Sequence, residues 1–418
     1  MSGTRKHSKR VVITGIGAIT PLGSGADGLW KGTMAGKPAV RRITRFDPSD
    51  FRSQVAAEVN DFDPLDYIDP KRIRRLDRYS QFAVAAAVQA IADADLTVSD
   101  RYAERMGVFL GSALGGLAFA EEQHSEFHEH GLRGVNNILA LTVFGSAASC
   151  NVAMEIGVHG PNQTNANSCA SGAGAIGDAF HLIRLGRATM MLAGGVEAPL
   201  APLTFGAFDL IRAISSNWND QPERASRPFD ALRDGFVMSE GSAVLLLEDL
   251  EHAQARGAEI YAEVLGYATT TDAYHMTAPR PDGAQAMRAI REALEDANVR
   301  PTEIDYISAH GSSTPLNDKT ETMAIKGVLG EHAYRVPISA TKALHGHALG
   351  ASGAFELAIA CMAMRHEYLP ATANLENPDP ECDLNYLSGK GRKARVNVVL
   401  SNSFGFGGIN VCLVLGRV

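Results

Sequence analysis

Apolar positions along the chain fall into two alternating spacings. Short, nearly unbroken runs such as "RVVITGIGAI" (10–19), "RMGVFLGSALGG" (105–116) and "ATMMLAGGVEA" (188–198) read as buried strands that end in glycine turns. Between them, "LDRYSQFAVAAAVQAIADADL" (76–96) repeats alanine and other small apolar residues at helical spacing. "GSAVLLLEDLEHAQARG" (241–257) is a strand that runs into a turn or helix. Strand-like and helix-like segments alternating in this way predict an α/β fold of layered helices and largely buried strands.

One pattern occurs twice in outline. "CASGAGAIGDAFHLI", beginning at Cys169, parallels "HALGASGAFELAIAC", beginning at His347. Each follows a strand-like stretch, opens on a chemically able residue, passes through Ala, Gly and Ser, and becomes an apolar helix. Small residues let helices approach closely, so the two helices are expected to be able to pack face to face in the middle of the molecule. Gly/Ala helices are also common, and the pattern alone leaves duplication open. If duplicated, the chain divides in the polar stretch near residues 250–258, into 1–255 and 256–418.

Composition narrows the function. With 418 residues and 45% hydrophobic positions, the chain has enough apolar material for a full-sized core. A formal net charge of -8 argues against a general nucleic-acid binder. The five cysteines are scattered and form no CxxC pair, which points away from structural zinc and disulfides and toward a reducing compartment. The start combines a basic head with an apolar run, but Gly15, Gly17 and Pro21 break that run. It reads as a first strand, and no stretch is long enough to cross a bilayer. A cytoplasmic protein without a membrane partner is expected.

Cys169 is the candidate nucleophile. Cysteine is ordinarily a small core residue. Here it precedes a helical run, where free N–H groups and the helix dipole favour a thiolate, and its neighbours Ala170, Ser171 and Gly172 leave room for a substrate. Cysteine nucleophiles work with histidine. His310 in "DYISAHGSSTPLND" and His347 in "SATKALHGHALGASG", with Lys342 just before it, both follow strand ends and precede glycine-punctuated turns. "LSNSFGFGGINVCLVLG" adds a glycine turn able to bring an N–H beside a carbonyl oxygen. A tight turn with two packed phenylalanines explains that stretch equally well.

Taken together, "NSCASG", "AHGSSTP" with "DKTE", "ATKALHGHALGASGA" and "SNSFGFGGIN" resemble the elongating Cys-His-His type of β-ketoacyl-acyl carrier protein synthase. "RASRPFDALRDGFVMSEGSAVLLLE" and "TTTDAYHMTAPRPDG" resemble it too, and the likeness runs from about residue 10 to the C-terminus. The resemblance implies a thiolase-like fold, two related halves in a five-layer αβαβα sandwich, and normally a homodimer. It implies Cys169 as the acyl-carrying nucleophile and His310 and His347 as the catalytic histidines. Lys342 would orient His310 and, with its acidic partner Glu321, balance local charge. Phe406 would gate the site and share an oxyanion hole with the Cys169 amide. Ser312 and Thr314 would bind the pantetheine arm, and Leu114 and Phe404 would shape the substrate pocket.

An acyl carrier protein is the partner so implied, and no metal, flavin or nucleotide cofactor is required. In "KRIRRLDR" (71–78) the resemblance points to Lys71, Arg74 and Arg75 as carrier contacts, joined by Arg133 and Arg212; a solvated helix face is the plainer role for such a run. Ser168, His345, Ser312 and Ser239 depart from the residues usual in the family. They touch pocket shape and substrate preference rather than reaction class.

Other readings are weaker. His124, His128 and His130 in "EEQHSEFHEHG" suit a polar surface helix better than zinc, and "HGH" (345–347) lacks a third ligand nearby. A non-catalytic chain-length-factor-like subunit would lack the nucleophile that is present here. A thiolase acting on CoA would need a second cysteine that this chain does not place. A chain-length-factor-like partner in a heterodimer stays open, as does the division between fatty-acid and polyketide or polyene elongation.

Overall fold

The computed structural model describes residues 8–418. Ten strands build one continuous sheet: β1 (Val11–Thr20), β2 (Met106–Gly111), β3 (Asn162–Asn165), β4 (Met190–Glu197), β5 (Gly241–Asp249), β6 (Ala262–Thr271), β7 (Tyr306–Ser308), β8 (Ile338–Ser339), β9 (Val398–Gly405) and β10 (Ile409–Gly416). A short eleventh strand, Gly23–Ser24, pairs with the end of β1.

The strand order exposes the duplication that the sequence only hinted at. The first five strands lie in the order β1-β5-β4-β2-β3, and the second five repeat it as β6-β10-β9-β7-β8. Orientations repeat as well: in each set the first two pairings are antiparallel and the last two parallel. The sets join where Val11–Ile13 of β1 pair antiparallel with Ala262–Val264 of β6. Helix Leu250–Ala255 is the connection between β5 and β6.

Six helices supply the other layers: α1 (Arg78–Asp93), α2 (Ala147–Ile156), α3 (Ser171–Arg184), α4 (Ala284–Ala297), α5 (Pro315–Leu329) and α6 (Ser352–His366). One apolar cluster unites α1 and α2 with the outer face of the first half-sheet, and another unites α4 and α5 with that of the second. The largest cluster lies between the half-sheets around α3 and α6. The result is a five-layer αβαβα sandwich.

Small residues set the layer spacing. All ten residues of β1 are buried, and a Cβ added at Gly17 would lie 1.8 Å from the Ala86 carbonyl oxygen of α1. At the centre a Cβ on Gly353 of α6 would lie 2.8 Å from the Ala173 Cβ of α3. The two small-residue helices therefore pack against each other, as their composition predicts. Both half-sheets and both central helices share one core, and both helix N-termini face the same cavity.

No helix among the described residues is long and apolar enough to cross a membrane. His124 and His128 sit exposed on helix Leu117–His130, and the described residues contain no group of three metal-ligating side chains.

Candidate active site

Cys169 is placed by a strained turn. Ser168 has φ +51°, in the left-handed region that a residue with a Cβ adopts at a cost of about 1 kcal/mol or more. Ser171 Oγ donates to the Ser168 carbonyl at 2.6 Å and closes the turn, and α3 begins immediately afterwards. The sulfur is thereby held at the helix start, with Cys169 only 8% exposed.

Cys169 lines a cavity of about 340 Å³ together with His310, His347, Phe404, Phe406, Ser312 and Thr314. Residues far apart in sequence thus meet in one place. His310 follows β7, while His347 follows Gly346, whose φ of +70° turns the chain after the short helix Lys342–His345. The two imidazoles sit edge to face, 5.4 Å between centroids. His347 Nδ1 is 2.7 Å from Ser352 Oγ at the start of α6, which leaves its Nε2 for the cavity. Backbone bonds hold the residue on both sides: its N–H donates to Val237 and its carbonyl accepts from Ser239.

Lys342 is fully buried behind His310. Its ammonium donates to the His310 carbonyl at 2.6 Å and lies 3.4 Å from His310 Nδ1. An ammonium only donates, so Nδ1 is the accepting nitrogen and the proton of the neutral ring sits on Nε2. The carboxylate that pairs with Lys342 is Glu356 of α6, not Glu321. Glu321 lies on α5, and its oxygens are taken by the backbone N–H groups of His310 and Gly311, both at 2.8 Å, and by Asn402 Nδ2 at 3.0 Å. It therefore anchors the backbone of the catalytic segment, and Glu356 balances the charge of Lys342.

Burial governs the ionisation of the site. The Cys169 thiol is pushed up to about 11 by desolvation, against the pull of the Phe406 backbone N–H and the Lys342 charge. This reverses the expectation that the helix start lowers it. Burial outweighs the helix start, and Lys342 is already engaged by Glu356. His310 and His347 are both held well below the usual imidazole value, first by burial and then by Lys342. Both rings are consequently neutral near pH 7. Burial raises Glu197, Glu321 and Glu356 alike to about 7.

The backbone N–H groups of Phe406 and Cys169 lie near enough to the sulfur to pull its ionisation down. The Phe406 ring packs against the apolar cluster containing Cys169 and stacks on Phe208 at 6.4 Å. Its turn is held by Gly407 N–H donating to Met276 O at 2.7 Å, with φ +85° at Gly407 and +74° at Gly408. Leu114 joins the same apolar cluster. Ser312 and Thr314 hydroxyls lie 2.9 Å apart on the cavity wall.

The basic run divides in two. Arg72 pairs with Glu155 and Arg78 with buried Glu240, whereas Lys71, Arg74 and Arg75 are exposed. Arg133 is exposed on the turn Gly131–Arg133, and Arg212 lies at the cavity lining.

Two carboxylates of this architecture escaped the sequence reading. Glu356 is the one charged residue in the apolar run "GAFELAIACMAM", a signal that would have marked it. Glu197, at the end of β4, accepts from the N–H groups of Ala113, Leu114 and Gly350. It ties the glycine turn after β2 to the start of α6, and nothing in the local sequence announces that. Of the departing residues, His345 is buried against Phe355 and Thr341, and burial pulls it down to about 3.

A duplicated five-layer sandwich that brings a cysteine and two histidines to one cavity between its halves defines a thiolase-like condensing enzyme. Residues 8–253 match the family model "Beta-ketoacyl synthase, N-terminal domain", and residues 261–376 match "Beta-ketoacyl synthase, C-terminal domain". The chain belongs to the β-ketoacyl synthase family and is a β-ketoacyl-acyl carrier protein synthase, an acyltransferase of fatty-acid or polyketide chain elongation. It is 49% identical to 3-oxoacyl-[acyl-carrier-protein] synthase 2 of Synechocystis sp., covering 98% of this chain and 99% of the relative. To the putative polyketide beta-ketoacyl synthase 1 of Streptomyces cyaneus it is 46% identical, covering 98% of each. Among solved structures it is similar to a type II polyketide ketosynthase in complex with its acyl-carrier protein and bound to the hexaketide. That match has a TM-score of 0.91 at 38% identity, covering 98% of this chain and 100% of the other. The ishigamide ketosynthase/chain length factor matches with a TM-score of 0.92 at 36% identity over the same shares.

Proposed function

We propose that Cys169 accepts the growing acyl chain and that His310 and His347 activate the extender. The observation that carries this reading is the convergence of all three on one cavity. Cys169 sulfur attacks the thioester carbonyl of the acyl carrier protein. The bond from that carbonyl carbon to the pantetheine sulfur breaks, and the departing thiolate takes up the proton that Cys169 gives up. The N–H groups of Cys169 and Phe406 receive the oxyanion.

Malonyl-carrier protein then enters and its carboxylate leaves as carbon dioxide, so that the electron pair forms an enolate. Neutral Nε2–H of His310 and the Nε2 side of His347 hold the enolate oxygen. The enolate carbon attacks the acyl-Cys169 carbonyl, the Cys169 thiolate departs, and the chain is two carbons longer. Lys342, pinned by Glu356, positions His310. These steps call on no metal, flavin or nucleotide. Trapping the acyl group on Cys169 from a panel of acyl-carrier proteins, read by intact mass, tests the assignment and separates fatty-acid from polyketide substrates.

Exposed Lys71, Arg74 and Arg75, with Arg133 and Arg212, form the proposed landing site for an acidic carrier protein. Charge reversal at Arg74 and Arg75 is expected to raise the apparent KM for carrier-bound substrate and to weaken its salt dependence. Activity with a small acyl-pantetheine mimic should stay nearly intact, because rim charges act mainly on encounter. Equal damage to both substrates would reduce the cluster to a structural role.

Phe406 is the proposed gate. Glycines at 405, 407 and 408 permit backbone angles closed to other residues, so the turn can hold two arrangements. Phe406→Ala should preserve the fold and lose the order of substrate entry. Malonyl-carrier decarboxylation in wild type should depend strongly on prior acylation, and in the variant weakly. Matching ratios would make Phe406 a packing residue.

A dimer completes the reading. β3 is an edge strand, and Leu141, Val143 and Phe144 stand exposed in the segment shortly before it. An unpaired edge strand and exposed apolar side chains each favour association with a second copy or with a chain-length-factor-like subunit. A reducing cytoplasm is the proposed location, since the chemistry needs Cys169 free.

A further inference from the structure

We infer that the end of the molecule opposite the catalytic cavity is a docking face for an anionic phospholipid surface. The stretch "GKGRKAR" (389–395) concentrates Lys390, Arg392, Lys393 and Arg395 in a chain whose net charge is -8. All four side chains are exposed, and Arg392–Lys393 are fixed by antiparallel pairing with Tyr368–Leu369. None of the four has a carboxylate within ion-pair distance among the described residues, whereas neighbouring Arg365 and Arg417 pair with Glu259 and Glu367. Arg365, Arg395 and Arg417 line one cleft with Tyr261.

Two elements measure the distance from this face to the reaction. β9 begins at Val398, just after the basic stretch, and ends at Gly405, where an added Cβ would lie 3.2 Å from the Cys169 nitrogen. A strand of that length spans about 20–25 Å. α6 begins at Ser352, bonded to His347, and reaches Arg365 near its other end, about 20 Å away. The cationic face is therefore separate from the cavity that holds Cys169 and His347.

Surface chemistry selects the occupant. Protein interfaces need a cluster of apolar or aromatic anchors, and the exposed large apolar side chain lining this cleft is the single Val418. Single-stranded nucleic acid is held by a row of free aromatic platforms in a basic groove, whereas the Tyr261 ring in this cleft is already covered by the Arg365 guanidinium. Adsorption to anionic headgroups asks only for a cluster of four or more Lys and Arg side chains close to the surface. The two carboxylates on this face, Glu259 and Glu367, are engaged by Arg365 and Arg417, which leaves Lys390, Arg392, Lys393 and Arg395 as excess positive charge.

Full-length protein should co-sediment with vesicles of phosphatidylcholine and phosphatidylglycerol in equal parts at low salt. It should not do so with pure phosphatidylcholine vesicles or at high salt. The double variant Arg392→Glu, Lys393→Glu should lose about tenfold or more of its vesicle partitioning, while Arg392→Lys, Lys393→Arg keeps it. Condensation with soluble carrier substrates should be unchanged in both, given the separation from Cys169. Arg395→Glu alone should give a smaller loss and reads the same face if the double reversal fails to fold. Vesicle binding is scored without turnover, so it stands apart from the catalytic assignment. Absence of wild-type binding, or equal binding by the reversal variant, overturns the inference. Retention on heparin that the reversal abolishes, with vesicles ignored, overturns it in favour of a nucleic-acid-like polyanion.

Discussion

Replacing Cys169 with alanine is expected to abolish the acyl-enzyme seen by intact mass and to lower condensation by about 10⁴-fold or more, the scale for deleting a catalytic nucleophile. Decarboxylation of malonyl-carrier protein should fall only to the slow rate that wild type shows without a bound acyl chain, because the step draws on His310 and His347 and not on the sulfur. An acyl adduct on the alanine variant would move the nucleophile elsewhere. Burial of the thiol adds a second readout. With Cys169 pushed up to about 11, the resting enzyme holds a protonated thiol at neutral pH. Its alkylation by iodoacetamide should keep climbing as the pH rises above 8. A plateau reached below pH 7 would mean that the resting site already holds the thiolate.

Replacing His347 with alanine should leave acyl transfer to Cys169 working and reduce condensation by about 100-fold or more, the loss that follows removal of one preorganised donor or acid–base group. Single-turnover acylation and steady-state condensation, measured on the same preparation, separate the two steps. An unchanged condensation rate would remove His347 from the mechanism. Because burial and Lys342 hold both imidazoles well below 6.5, their ring signals in NMR of histidine-labelled enzyme should stay those of neutral histidine between pH 6 and 8, while any step in the rate near pH 7 belongs to Glu321 or Glu356. A ring signal that shifted with a midpoint near 6.5 would show a histidine titrating as it does in water.

Lys342 shows why neighbouring residues had to be seen in space. Its resemblance-based partner was Glu321, eleven residues after His310 and on the same side of the sequence motif. In the fold Glu321 is consumed by two backbone N–H groups, and the ammonium turns instead to Glu356 on the central helix. A carboxylate can serve only the donors its helix brings it to. Which helix face meets Lys342 is decided by the packing of α6 between the half-sheets.

Sequence by itself determined the fold class and the chemically able residues. Strand-like runs ending in glycine turns announced α/β layers, and Cys169, His310 and His347 stood out because each sits where such a run gives way to small residues. Those signals are local, carried by spacing within a few residues. Tertiary structure alone decided what depends on long-range neighbours. It set the repeated strand order, which joins β1 to β5 and β6 across more than two hundred residues. It split the basic run into paired Arg72 and Arg78 and free Lys71, Arg74 and Arg75. It also reversed the direction of the Cys169 ionisation, because burial between two half-sheets penalises the charged sulfur more than the nearby N–H groups and the Lys342 charge stabilise it.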